Sequence, residues 1–90
     1  MLKKNFKVTA ETGLHARPAT ILVSEATKFE SEIFLESQNK IINLKSIMGI
    51  MSLGVYKGEE VSLIISGRDE QEAMISLTEC FMNLNLGKEL

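Results

Sequence analysis

The sequence is poor in the residues that ordinary catalytic and metal sites require. It has one histidine, one cysteine, one proline, no tryptophan and a single aspartate, Asp69, in 90 residues. One cysteine excludes a disulfide framework, and one cysteine with one histidine excludes a zinc finger or a His-rich zinc site. A lone aspartate argues against an aspartate dyad or a Ser-His-Asp triad, so no metal site and no cofactor are expected. Long apolar runs are also missing. The longest, Val61 to Ile65, is interrupted by Ser62, far short of the ~20 residues of a membrane helix. The lysines at positions 3 and 4 are not followed by an apolar segment, so a secretory signal is not expected and a cytoplasmic protein is. Ten Lys+Arg against twelve Asp+Glu give a net charge of −2, too balanced for a nucleic-acid partner by default. With 44% apolar and 24% charged residues, the composition is that of one folded domain over residues 1–90.

The spacing of apolar residues alternates between two periods. Phe6, Val8 and Ala10 face one way in a half-buried strand broken by Glu11-Thr12-Gly13. From Ala16 to about Phe29 the stripe Ala19, Leu22, Val23, Ala26 and Phe29 is helical. Pro18 is tolerated only in that helix's first turn, which puts the helix start near residues 15–17. Strands follow at Glu32–Glu36 and Ile41–Leu44 around a Ser37-Gln38-Asn39-Lys40 turn. A short helix then runs from an N-cap at Ser46 to a stop at Gly54. Val61, Leu63 and Ile65 point inward from a fourth strand. Asp69 and Glu72 form a capping box for a last helix with Ala73, Leu77, Phe81 and Leu84 inside. The expectation is an α+β open-faced β-sandwich: a four-stranded antiparallel sheet with three helices on one face. Phe34 sits among polar neighbours as a lone surface aromatic. Cys80, beside core positions, reads as a buried, inert thiol.

Three features carry chemistry. His15 follows Gly13 and precedes the helix start, where free N–H groups and the helix dipole favour an anion. Arg17 adds a permanent cation able to hold phosphate oxygens. Both disfavour the imidazolium, so the His15 pKa is expected to be lowered, leaving a neutral, nucleophilic ring. That suits a histidine that accepts a phosphoryl group. On spacing alone it also suits a non-covalent anion site. Ser46 is an N-cap that could carry a phosphate beside Lys45. The short helix holds Ile47, Met48, Ile50, Met51 and Leu53, too many for one sheet to cover, so some, a methionine among them, should stay exposed for docking.

Gly13-Leu14-His15-Ala16-Arg17-Pro18-Ala19 and the segment Leu44 to Gly54 resemble the two signature segments of the HPr family. These are the histidine-containing phosphocarriers of the bacterial phosphoenolpyruvate-dependent sugar phosphotransferase system. The resemblance covers essentially the whole chain. It implies that enzyme I passes a phosphoryl group to Nδ1 of His15, which hands it to a sugar-specific enzyme IIA domain, with Arg17 stabilising the group in transfer. The protein would be a carrier without turnover of its own. The methionines at 48 and 51 resemble the Gram-positive type. There, Ser46 is phosphorylated by an ATP-dependent HPr kinase/phosphorylase, and the product acts with a LacI-family catabolite control protein in carbon catabolite repression. Ile47, Met48, Met51, Thr20 and Leu53 would bind partners. A monomer is implied, with neither direct nucleic-acid binding nor membrane insertion. Asn39 and Phe34 depart from the family's common pattern, away from both signatures. The presence of His15 separates the chain from the regulatory paralogue that keeps the serine and lacks the histidine.

Overall fold

Alternation of apolar and polar residues gives each strand one face to bury, and the helical stripes give the helices theirs. The computed structural model describes residues 1–14 and 16–90. In chain order it contains β1 (Leu2–Val8), α1 (Ala16–Ala26), β2 (Glu32–Ser37), β3 (Lys40–Asn43), α2 (Ile47–Leu53), β4 (Glu60–Ser66), α3 (Glu70–Asn83) and β5 (Gly87–Glu89). The sheet order is β3-β2-β4-β1-β5, and every neighbouring pair is antiparallel. Phe6, Val8, Ile33, Leu35, Val61, Leu63 and Ile65 are buried from the sheet; Ala19, Leu22, Val23 and Ala26 from α1; Ala73, Leu77 and Phe81 from α3. The Phe6 and Phe81 rings stack with centroids 4.7 Å apart, fixing α3 over β1. The β2–β3 turn has positive φ at both Gln38 (50°) and Asn39 (67°), the conformation of a tight twisted hairpin.

The expected open-faced sandwich is present, with four differences. Leu84, expected on the inner stripe of the last helix, is instead its C-cap residue and only partly buried. A fifth strand, β5, pairs with the edge of β1 through Phe6, Lys7 and Val8. Its residues Gly87-Lys88-Glu89 carry no apolar alternation, so only the neighbouring edge reveals them. α1 ends at Ala26, and Phe29 lies in the following turn, where its carbonyl accepts from Lys45 Nζ at 2.6 Å. The expected capping box does not form. Glu70 reaches back to accept from the Gly67 N–H at 3.1 Å, and Asp69 makes no side-chain cap bond.

Asp69 instead ties α3 to the β2 approach. Its carboxylate accepts from the Ser31 hydroxyl, from the Ser31 N–H at 3.0 Å and from the Glu30 N–H at 2.9 Å. The Ser31 hydroxyl, followed by the Glu30 N–H, holds the carboxyl down at about 2. These bonds favour the charged form. Because the folded pKa lies below the unfolded value of ~3.9, the carboxylate stabilises the fold above that value, and the contribution disappears as pH falls through about 2. A carboxyl titration followed by NMR should show Asp69 ionising near that point. In Ser31→Ala its midpoint should rise toward ~3.9, and the acid limb of stability should begin at higher pH. An unmoved midpoint would remove Ser31 as the cause.

Candidate functional site

The approach to α1 is set by one close backbone contact. Gly13 has φ +66°, and a Cβ there would lie 2.2 Å from the Val55 carbonyl oxygen. No side chain fits at that distance, so the position requires glycine. The next residue, Leu14, is buried and donates its N–H to the same carbonyl at 3.2 Å. Val55 directly follows Gly54, the left-handed C-cap of α2 with φ 64° and ψ 50°. The N-terminal end of α1 is therefore stitched to the C-terminal end of α2. Val55 had no place in the sequence-based expectation, because a backbone carbonyl leaves no mark in residue type.

His15, the expected phosphoryl acceptor, lies outside the described residues, and with it the expected lowering of its pKa. Arg17 is in the first turn of α1, exposed, and no carboxylate among the described residues pairs with it. Pro18 occupies the same turn, as expected. Thr20 is exposed one turn further on.

α2 begins at Ser46, whose Oγ accepts from the Gly49 N–H at 3.0 Å, so the N-cap is as expected. Lys45, expected to support charge at Ser46, has its ammonium engaged by the Phe29 carbonyl instead. Ile47 is 43% exposed, Met48 82% and Met51 42%, whereas Ile50 is buried. Leu53 corrects the expectation: at 7% exposure it packs into the core with Ile50, three residues away on the same helical face, and offers partners little surface.

A separate cleft of about 370 Å³ between α1 and α3 is lined by Ile21, Glu25, Ser76, Glu79, Cys80, Asn83 and Leu84. Burial, then the Glu25 carboxylate, pushes the Cys80 thiol up, away from the thiolate a nucleophile needs. Cys80 is half-buried rather than buried. Among the described residues no group of three or more His, Cys, Asp and Glu side chains could hold a metal ion, and no helix is long and apolar enough to cross a membrane.

An antiparallel sheet bare on one side, three helices on the other and a cation exposed where the first helix begins define a small open-faced α+β sandwich. The chain belongs to the HPr family: the family described as the PTS HPr component phosphorylation site matches residues 2–83. Among solved structures, the histidine-containing phosphocarrier protein of Mycoplasma is 35% identical, with a TM-score of 0.94 over 96% of this chain and 98% of that one. HPr-C-His from Thermoanaerobacter tengcongensis is 47% identical over the whole of both chains, with a TM-score of 0.88. The catabolite repression protein Crh of Bacillus subtilis is 51% identical over 86% of this chain and 88% of its own, with a TM-score of 0.72; its structure is a domain-swapped dimer.

Proposed function

We propose that this chain, one domain over residues 1–90, is a cytoplasmic phosphocarrier of sugar uptake that receives a phosphoryl group on His15 from enzyme I and passes it to enzyme IIA domains. The Nδ1 lone pair attacks phosphorus, a bond to Nδ1 forms, and the bond from phosphorus to the donor breaks. Transfer onward reverses the sequence on an acceptor histidine, so the carrier ends unchanged. Arg17 neutralises charge on the moving group. Ile47, Met48 and Met51, together with Thr20 of α1, form the surface that successive partners share, and methionine's adaptable side chain suits such reuse. Ser46 is the regulatory site, modified by an HPr kinase/phosphorylase, and the modified form serves a LacI-family catabolite control protein.

The observation that carries this reading is the stitch from Leu14 to Val55, which ties the start of α1, where Arg17 is exposed, to the C-terminal end of α2, the helix that exposes Ile47, Met48 and Met51. A partner resting on α2 then lies next to the start of α1. Incubation with enzyme I and labelled phosphoenolpyruvate should give stoichiometric, acid-labile label. No label, or label stable to acid, would overturn the assignment.

A further inference from the structure

The side of the sheet away from the helices carries more apolar surface than its lone expected aromatic implies. Phe34 is not isolated. It pairs across strands with Ile64, and the neighbouring cross-strand pair sets Ile41 diagonally beside it. Met1 completes the series just before β1, and Met1, Phe34, Ile41 and Ile64 line one shallow groove with Glu32 and Ser66. Ile41 is 59% exposed and Met1 78%. The four side chains form a diagonal apolar stripe from β3 to β1.

Charge is arranged across this stripe rather than along it. Lys3 lies on one side, in the row of Ile64 and Phe34, and Glu32 lies on the other, in the row of Ser66. Both are exposed, and neither forms an ion pair among the described residues. Rotation by a half turn about the stripe lays the stripe on itself and brings Lys3 of each copy over Glu32 of the other. Such self-complementarity is what an isologous pair requires.

We propose that two copies of this chain associate through the open faces of their sheets, on a two-fold axis along the Ile41–Phe34–Ile64–Met1 stripe, with reciprocal Lys3–Glu32 pairs. The occupant is a second copy because the face matches itself in both polarity and charge. The five strands hold 7, 6, 4, 7 and 3 residues, so at ~3.4 Å per residue and ~4.8 Å per strand the flat footprint is about 440 Å² per copy, just under the ~1,000 Å² total at which specific interfaces begin. The dimer is therefore weak and depends on concentration. A net charge of −2 per copy opposes it little. α1 and α2 remain outside the interface, so both copies keep their helical surfaces free.

Sedimentation equilibrium of the full chain at low salt, from ~10 μM to ~1 mM, should show a monomer–dimer equilibrium with Kd of ~10–100 μM. Ile64→Lys should abolish it. Lys3→Glu and Glu32→Lys should each weaken it about 10-fold by opposing like charges, and the double variant should return to within about 3-fold of the starting Kd. A monomer throughout, a dimer untouched by Ile64→Lys, or a double variant no stronger than either single one would overturn the proposal. The charge-exchange series decides the question even if Ile64→Lys fails to fold. No phosphoryl donor enters the measurement, so its outcome is separate from that of the labelling experiment.

Discussion

The His15→Ala variant, mixed with enzyme I and labelled phosphoenolpyruvate, should take up no acid-labile phosphate, while its unfolding curve stays close to that of the parent. The sequence contains no second imidazole, and a serine or threonine hydroxyl at neutral pH is a poor nucleophile without an adjacent base. Loss should therefore be complete. Arg17→Ala makes the contrasting case. The nucleophile remains, and what disappears is one preorganised cation facing the charge that develops on phosphorus. Removing a single group of that kind slows transfer by about 10²-fold without abolishing it. Arg17→Lys should recover part of the rate, because it restores the charge but not the fork of donors that matches phosphate oxygens. The pattern separates three mechanisms. Equal labelling of the His15→Ala protein excludes a histidine carrier. A chain that binds phosphate stoichiometrically and never labels is an anion-binding domain. An Arg17→Ala rate equal to the parent's removes the electrostatic role while leaving the carrier intact.

Most of the fold was legible because its core follows the two simple periods. Each inward strand residue expected from alternation in β2 and β4 is buried, as is the α1 stripe apart from Phe29. The failures occur where tertiary partners override local pattern. β5 exists because β1 offers an unpaired edge, not because Gly87-Lys88-Glu89 favours extension. Asp69 is a good N-cap residue by type, yet the Ser31 hydroxyl and two N–H groups outbid its own helix, and Glu70 turns back to the Gly67 N–H ahead of it. In α2 the composition required some apolar residues to remain outside but could not say which. Over seven residues the helix's rotation is set by its neighbours, and this turned Leu53 inward and Met48 outward. Phe34 was misjudged for a related reason. Its company on the open face, Ile41 and Ile64, is separated from it in sequence and meets it only through strand register. The proposed phosphoryl acceptor, His15, is legible as residue type and position alone.

Phosphorylation of Ser46 should slow the transfer from enzyme I to His15 by about 10²-fold while leaving the fold in place. The argument rests on where the new charge would stand. Ser46 immediately precedes Ile47 and Met48, both exposed, and a phosphoserine adds nearly two negative charges. The nearest lysine in sequence cannot neutralise them without cost, since Lys45 Nζ is already bonded to the Phe29 carbonyl in the turn after α1. A partner that desolvates the α2 patch must then bury or repel an unmatched charge, a penalty of several kcal/mol at an interface. Oγ can still accept from the Gly49 N–H, so the cap survives and stability should not fall. Ser46→Asp, with about half the charge, should reproduce about half of the free-energy effect, a slowing of roughly 10-fold. Ser46→Ala should transfer at the parent rate but lose about 1 kcal/mol of cap, lowering Tm by ~4–8 °C. A small phosphoramidate donor, which needs no docking surface, should phosphorylate His15 equally in all four proteins. If phosphorylated Ser46 slows that donor as much as enzyme I, the effect is transmitted through the fold to the histidine. If enzyme I is slowed by neither phosphate nor Asp, the α2 patch is not where it docks.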